Sequence, residues 1–298
     1  MKILRLFAIV FLLSLQFSAS ARSDELKPGN HKYCLTVGAT KRNYFVHIPR
    51  HLRSEPMPVV IVLHGVITTA GNIAWDSEMS AKSERDSFIV VYPSGVGLSW
   101  NAGDCCGKGA KKKVDDVAFI RALILKVRDD FPIDPKKVFV TGISNGGMMA
   151  YRLGQEMPDL IAAIAPVEGC MRDIDKPSTE PLSVIIFNGT ADTVIPYAGG
   201  TGNWYGFKIA TKPVSDAVKY WVKADHCKGE PAREDSDSSI KDVYTNGANG
   251  SEVCLYTIKG CRHTWPGGKF AKVLHWHDSE AFSATDAMCD FFWAHPKL

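Results

Sequence analysis

Short apolar runs bounded by turn residues recur along this chain. Val59-Val60-Ile61-Val62-Leu63, Phe88-Ile89-Val90-Val91-Tyr92 and Val138-Phe139-Val140-Thr141 are continuous and rich in β-branched residues. That is the pattern of strands covered on both faces. Ala162 to Pro166, Ser183 to Phe187 and Val253 to Ile258 extend the series. Between these runs apolar residues fall at helical spacing, so Ala70–Ser83, Val114–Phe131, Gly147–Leu153, Val214–Ala224 and Ala281–Ala294 read as helices. Arg42 to Pro49 alternates apolar and polar positions and predicts an edge strand. Pro56-Met57-Pro58 marks a break, and Ser94 to Lys113 reads as a long glycine-rich loop. Buried strands alternating with helices specify an α/β fold, a mostly parallel, doubly wound sheet with helices on both faces. No repeat or low-complexity linker interrupts the pattern, so residues 22–298 read as a single domain.

The first residues bear on compartment. Lys2 and Arg5 precede an almost wholly apolar run from Leu6 to Leu15, and Ala19-Ser20-Ala21 fits a small-x-small cleavage site. Residues 1–21 therefore read as a signal peptide, too short and wrongly flanked for a membrane span. The expectation is a secreted or periplasmic protein with no membrane anchor. The formal charge of +3 falls when Lys2 and Arg5 are removed, and Lys111-Lys112-Lys113 is an isolated basic run, so no nucleic-acid partner is expected. Eight cysteines in an exported chain predict mostly oxidised thiols. Cys105 and Cys106 are adjacent and can join only through a strained local ring. A vicinal bridge and two long-range bridges both stay open.

The chemistry centres on Gly142-Ile143-Ser144-Asn145-Gly146, which joins the strand 138–141 to a helical pattern. A G-x-S-x-G in that context is the nucleophile elbow of an α/β-hydrolase, flanked by glycines because a β-carbon on either side would clash. A serine hydroxyl needs a base, and the base needs an acid to orient it. These follow in the order expected for this fold, Asp192 past the strand ending at Phe187 and His263 past the last strand. In a parallel sheet both loops emerge at the strand carboxyl ends. The expected oxyanion donors are the backbone N–H of Asn145 and one from Val66 or Ile67, Val66 being preferred. His64, at a strand end without an acid in register, reads as structural. His275-x-His277 with Asp278 reads as a surface cluster, so neither a metal nor an organic cofactor is expected. Trp75, Trp100 and Trp265 are packing residues by default, yet loops at the carboxyl edge make Trp100 and Trp265 candidate substrate walls.

Several blocks occur together and in order: Leu63-His64-Gly65, Tyr92-Pro93-Ser94-Gly95, Trp100-Asn101-Ala102 with Cys105-Cys106, Val114-Asp115-Asp116-Val117, the serine elbow, Asn188 to Tyr197, and His263-Thr264-Trp265-Pro266-Gly267. The chain resembles the secreted polyhydroxybutyrate depolymerase and feruloyl esterase family, similar to carbohydrate esterase family 1, over roughly residues 40–294. The resemblance implies a carboxylic ester hydrolase with Ser144 as nucleophile, Asp192 as acid and His263 as base. It also implies an ester substrate, a plant cell-wall feruloyl-polysaccharide or a hydroxyalkanoate oligomer. Depolymerase action on polymer, or a non-catalytic binding protein on a hydrolase scaffold, are the alternatives. Cys261, where relatives often carry glycine, and the inserted segment Lys269 to Asp278 depart from the family pattern beside His263. The absence of a linker or second binding domain favours soluble esters over solid polymer.

Overall fold

In the computed structural model, which describes residues 26–204 and 206–298, the apolar runs become the central strands of one sheet. The expected leader, 1–21, lies outside these residues. The chain opens with a hairpin, β1 (Gly29–Val37) and β2 (Thr40–Ile48), then runs through β3 (Met57–Leu63), α1 (Ala70–Asp76), α2 (Met79–Asp86) and β4 (Ile89–Pro93). Next come α3 (Gly107–Lys111), α4 (Asp116–Asp130), β5 (Ile133–Ile143), α5 (Asn145–Glu156), β6 (Ala163–Val167) and β7 (Ser183–Gly189). A small separate hairpin, β8 (Gly200–Trp204) with β9 (Phe207–Thr211), precedes α6 (Val214–Ala224). The chain continues through β10 (Ala232–Asp235), β11 (Ser239–Tyr244) and β12 (Val253–Ile258), then α7 (Lys269–Val273), α8 (His277–Glu280) and α9 (Ala284–Ala294).

The strands lie in the order β1-β2-β4-β3-β5-β6-β7-β12-β11-β10. From β4 to β12 neighbours are parallel, and the outer pairs are antiparallel. Alternate side chains point to opposite faces of a strand. Val59, Ile61 and Leu63 of β3 therefore join Phe119, Leu123, Leu153 and Trp221 from α4, α5 and α6 in one core. Val60 and Val62 join Ile73, Met79 and Phe292 from α1, α2 and α9 in the other. There Phe139 stacks on Phe292 with ring centroids 4.6 Å apart. Each such side chain contributes about 1.5–3 kcal/mol on burial, so the doubly covered strands dominate the fold's stability.

Several sequence expectations need correction. β2 is not an edge strand, because β1 pairs along its whole length and takes the edge. β1 alternates half-buried and exposed residues around Asn30, His31 and Lys32, too polar a pattern to stand out in sequence. The helix expected over 70–83 is two helices, broken at Glu78, whose φ of 52° is left-handed. Thr69 and Asn72 form a reciprocal capping box that starts the first of them. The long loop contains α3 and is tied down from below. Arg42 donates to Asp116 at 2.6 Å with both side chains buried, and the other Asp116 oxygen accepts the Asn101 N–H at 2.7 Å. Asp115 alone caps α4.

The cysteines also depart from expectation. Cys105 and Cys106 form a disulfide, whereas Cys34, Cys170, Cys227, Cys254, Cys261 and Cys289 are free thiols. The reason is placement. Cys170 is buried in one core, Cys254, Cys261 and Cys289 in the other, and Cys34 lies on the exposed edge strand. The buried ones act as small apolar residues, as where the Cys289 thiol meets the Met79 sulfur at 3.8 Å. Among the described residues no helix is long and apolar enough to cross a membrane.

Candidate active site

At the junction of β5 and α5, Ser144 has φ 56° and ψ −120°, a backbone state that non-glycine residues hold only when their surroundings force it. The force is close packing. A β-carbon on Gly146 would lie 2.4 Å from the carbonyl oxygen of Leu63, and one on Gly142 would lie 2.7 Å from the Gly146 backbone. The elbow thus sits against the carboxyl end of β3, with the Ser144 N–H donating to Val167 of β6 at 2.9 Å.

Asp192 and His263 arrive on the loops after β7 and β12, adjacent strands in the sheet. His263 Nδ1 donates to Asp192 Oδ2 at 2.7 Å. The other carboxylate oxygen accepts the N–H groups of Val194 at 2.7 Å and Ile195 at 2.8 Å. The Asp192 side chain is wholly buried and that of His263 is 17% exposed. With Nδ1 committed to the carboxylate, Nε2 is the nitrogen able to accept a proton. Ser144 and His263 line the same cavity of about 410 Å³.

The loop after β3 forms another wall. His64 is buried, and its ring bridges two backbone groups: Nδ1 to the Gly65 carbonyl at 2.7 Å, and Nε2 accepting the Gly95 N–H at 3.0 Å. Burial pushes its pKa down, so it is a neutral clamp that fixes the loop. The Ile67 N–H donates to Leu98 at 2.8 Å, while Gly65 and Val66 face the cavity. Asn145 opens α5, and its buried side chain accepts the Trp100 N–H at 2.7 Å and donates to the Trp100 carbonyl at 3.1 Å.

Trp100 and Trp265 are not substrate walls. Both are fully buried: Trp100 donates its indole N–H to the His64 carbonyl at 2.9 Å, and Trp265 donates to Thr285 at 2.9 Å. Each indole is aimed at a buried acceptor, so each ring is packed under the loops. The aromatic walls are Trp75, Trp204 and Phe270 instead. Trp204 comes from the β8–β9 hairpin and Phe270 from the inserted segment, neither of which has a periodic signal in sequence. The Phe270 N–H donates to Asp76 at 2.8 Å, and Lys272 pairs with Glu78 at 2.5 Å, which moors α7 over the cavity mouth. Burial raises the Asp76 carboxyl to about 6. A second cavity, of about 670 Å³, shares Val194, Trp204, His263 and Phe270 with the first and is lined as well by Arg262 and Trp276. The side chains of His277 and Asp278, weighed above with His275 as metal ligands, lie outside those described.

Residues 42–194 match the family described as esterase PHB depolymerase. The chain belongs to that family. The stretch that matches this esterase family holds Ser144 and Asp192 and ends before His263. Feruloyl esterase B of Piromyces equi is 30% identical over 223 residues, 71% of this chain and 40% of that protein. Poly(3-hydroxyalkanoate) depolymerase C of Paucimonas lemoignei is 31% identical over 252 residues, 74% of this chain and 58% of that protein. The matches thus span less than two thirds of either relative. The structure of an acetyl xylan esterase from Aspergillus awamori is similar with a TM-score of 0.59 over 84% of this chain and 99% of that one, at 18% identity. At that identity the likeness is one of fold, the α/β-hydrolase fold.

One acid in the site has no counterpart in the sequence analysis. Glu168, just past β6, is fully buried, and one of its oxygens, one of Asp192 and a ring nitrogen of His263 lie within 4.8 Å of one another. A metal could in principle use such a set. Here the Asp192 oxygens already accept two backbone N–H groups and the imidazole, and Glu168 accepts the Gly189 N–H at 3.0 Å. The donors aimed at these carboxyls fit a hydrogen-bonded cluster better than a cation. Cys261, the departure from the family pattern, is buried with its thiol 3.7 Å from Glu168, so it touches this cluster and is not a substrate wall.

Proposed function

We propose that this chain is a secreted serine esterase that hydrolyses carboxylic esters through an acyl-enzyme. Ser144 Oγ attacks the ester carbonyl while His263 Nε2 takes its proton. The proton then passes to the leaving alcohol, and water repeats the sequence to release the acid. Asp192 holds the imidazole in the tautomer that leaves Nε2 free. Asn145 and Val66 supply the backbone N–H groups that meet the developing oxyanion, since the Ile67 N–H is spent on Leu98. The observation that carries this reading is the 2.7 Å His263–Asp192 hydrogen bond opening on the same cavity as the strained Ser144. It also weighs against a merely binding scaffold, which has no use for a strained serine on the same cavity as an oriented imidazole. The leader-like residues 1–21 support export, and 22–298 is proposed as one catalytic domain.

The apolar cavity with Trp75 and Phe270 suits a hydroxycinnamoyl or short hydroxyacyl group, with the alcohol directed to the second cavity. The names of the relatives agree with both classes. A second reading, attack on solid polyester, draws on the exposed rim: Ile67 is 60% exposed, Val273 64% and Phe270 43%. The test has two parts. A fluorophosphonate probe should label the protein but not Ser144→Ala, whose hydrolysis rate should fall by about a thousandfold or more. Retention of more than a few per cent of activity would remove Ser144 from the nucleophile's role. Initial rates on methyl ferulate, a hydroxybutyrate oligomer and polymer granules at equal ester concentration then separate the substrates. Soluble esters are expected to be faster, and granules turned over equally fast would select the polymer reading.

A further inference from the structure

We propose that Glu168 is a neutral carboxylic acid that donates a hydrogen bond to Asp192 and thereby positions the Asp192–His263 pair. The inference rests on the Ser144–Asp192–His263 reading above. Glu168 directly follows β6 with φ 44°, a left-handed backbone held by its N–H donating to Phe187 at 2.8 Å. That turn aims the side chain inward, beneath the loop that carries Asp192. The result is two buried carboxyls side by side. Among the described residues no Lys or Arg pairs with either, and His263 is the sole ion-pair partner of Asp192.

Two adjacent buried carboxyls without a cation cannot both be ionised. Counting donors decides which one keeps the charge. Asp192 accepts three hydrogen bonds, from Val194, Ile195 and His263, the pattern of a stabilised carboxylate. Glu168 accepts one backbone N–H, from Gly189, and a distant thiol, from Cys261. Glu168 therefore holds the proton, and the charge on Asp192 supplies the acceptor for it. Burial first, and then the neighbouring Asp192 charge, push the Glu168 carboxyl well above the usual carboxylate range. The other titratable group facing it is the Cys261 thiol, itself pushed up by burial and so uncharged, while the Arg262 guanidinium lies over the Trp276 ring.

Glu168 lines neither of the two cavities at His263, so its action passes through Asp192. Its O–H fixes the direction of the Asp192 carboxylate and draws part of its charge away from His263. The imidazole is thereby kept less basic than it would be beside an undiluted carboxylate.

Glu168→Gln tests this because an amide N–H can replace the acid O–H while its carbonyl still accepts from Gly189. Its kcat should stay within about threefold of the parent, with the acid limb of kcat/KM unmoved. Glu168→Ala should lower kcat about tenfold with KM unchanged and move that acid limb to higher pH. The infrared spectrum at pH 9, where Asp225, raised by burial to about 7, has ionised, should contain the carbonyl band of a buried protonated carboxylic acid, lost in Glu168→Gln. The proposal is overturned if glutamine damages kcat as much as alanine, or if the band is absent. If Glu168→Ala does not fold, Glu168→Gln and the infrared band decide. Asp192→Asn separates the two readings: its inactivity keeps the triad whatever Glu168 does. An active Asp192→Asn beside an inactive Glu168→Gln would instead make Glu168 the acid of the triad and overturn both.

Discussion

Replacing Gly146 by alanine sets two opposed effects against each other. Alanine favours a helix over glycine by about 0.5–1 kcal/mol, and residue 146 lies in the first turn of α5. Against that, the new β-carbon would lie 2.4 Å from the Leu63 carbonyl oxygen and 2.7 Å from that of His64. Carbon–oxygen contacts settle at about 3.3 Å or more, so the end of β3 must retreat by nearly 1 Å. Both atoms are backbone, one at the end of β3, where Leu63 pairs with Gly142 of β5, and one in the residue that follows, so no side-chain rotation relieves the contact. Overpacking of this kind costs about 1–3 kcal/mol, and the rigid neighbours put it at the upper end. The clash wins by about 2 kcal/mol, and the melting temperature should fall by several degrees. The larger effect is on rate. The loop that retreats carries Val66, the proposed oxyanion donor, and loss of one such donor costs about a hundred- to a thousandfold in kcat. KM should change little, because the cavity walls from Trp75, Trp204 and Phe270 stay in place. Gly71→Ala, whose β-carbon would meet only Thr69 Oγ1 at 3.7 Å, is the control and should be neutral or slightly stabilising with unchanged kcat. Thermal unfolding and steady-state hydrolysis of an aryl acetate read both quantities. A Gly146→Ala protein as stable as its parent, with kcat within about threefold, would refute the close-packed elbow as the source of the Ser144 geometry.

Three further outcomes are expected. Asp225 is fully buried, with one carboxylate oxygen bonded to the Leu182 N–H at 2.8 Å and the other without a partner, and burial raises it from 3.8 to about 7. Because the folded pKa lies above the unfolded one, the native state holds this proton longer and stability falls as pH rises from about 4 to 7, by up to about 4 kcal/mol. Asp225→Asn should remove that fall, so its melting temperature should overtake the parent's towards pH 8; a difference constant with pH would discard the buried-charge account. Thiol titration of the denatured, unreduced protein should find six free cysteines of eight, and two or fewer would restore a bridged framework. Phe270→Ala should raise KM several-fold for hydroxycinnamoyl esters and hardly at all for acetyl esters; an equal effect on both would deny Phe270 a place on the acyl wall.

Read in sequence, the centre of this protein is visible and its periphery is not. β3, β5, β6, β7 and β12 are covered on both faces, so their apolar runs are continuous and need no partner to be recognised. The serine elbow is legible for the same reason: Gly142 and Gly146 answer to local sterics, and the order of Ser144, Asp192 and His263 follows from the strands that carry them. What the sequence leaves open depends on neighbours distant along the chain. β1, β8, β9 and β10 are short or polar because water covers one side, and their pairing is set by whichever edge is free. Trp100 and Trp265 look identical in sequence to Trp75 and Trp204. The first two find buried acceptors in His64 and Thr285, and the latter two line the cavity. The free cysteines follow the same logic, since their separation in space, not their number, decides whether they join. Glu168 is the sharpest case. In sequence it is one acid after a strand, and its role exists only because β6 and β7 are adjacent and bring it beneath Asp192, 24 residues away. Local sterics and burial are written in short stretches of chain. Charge, partner and exposure belong to contacts that only the folded sheet creates.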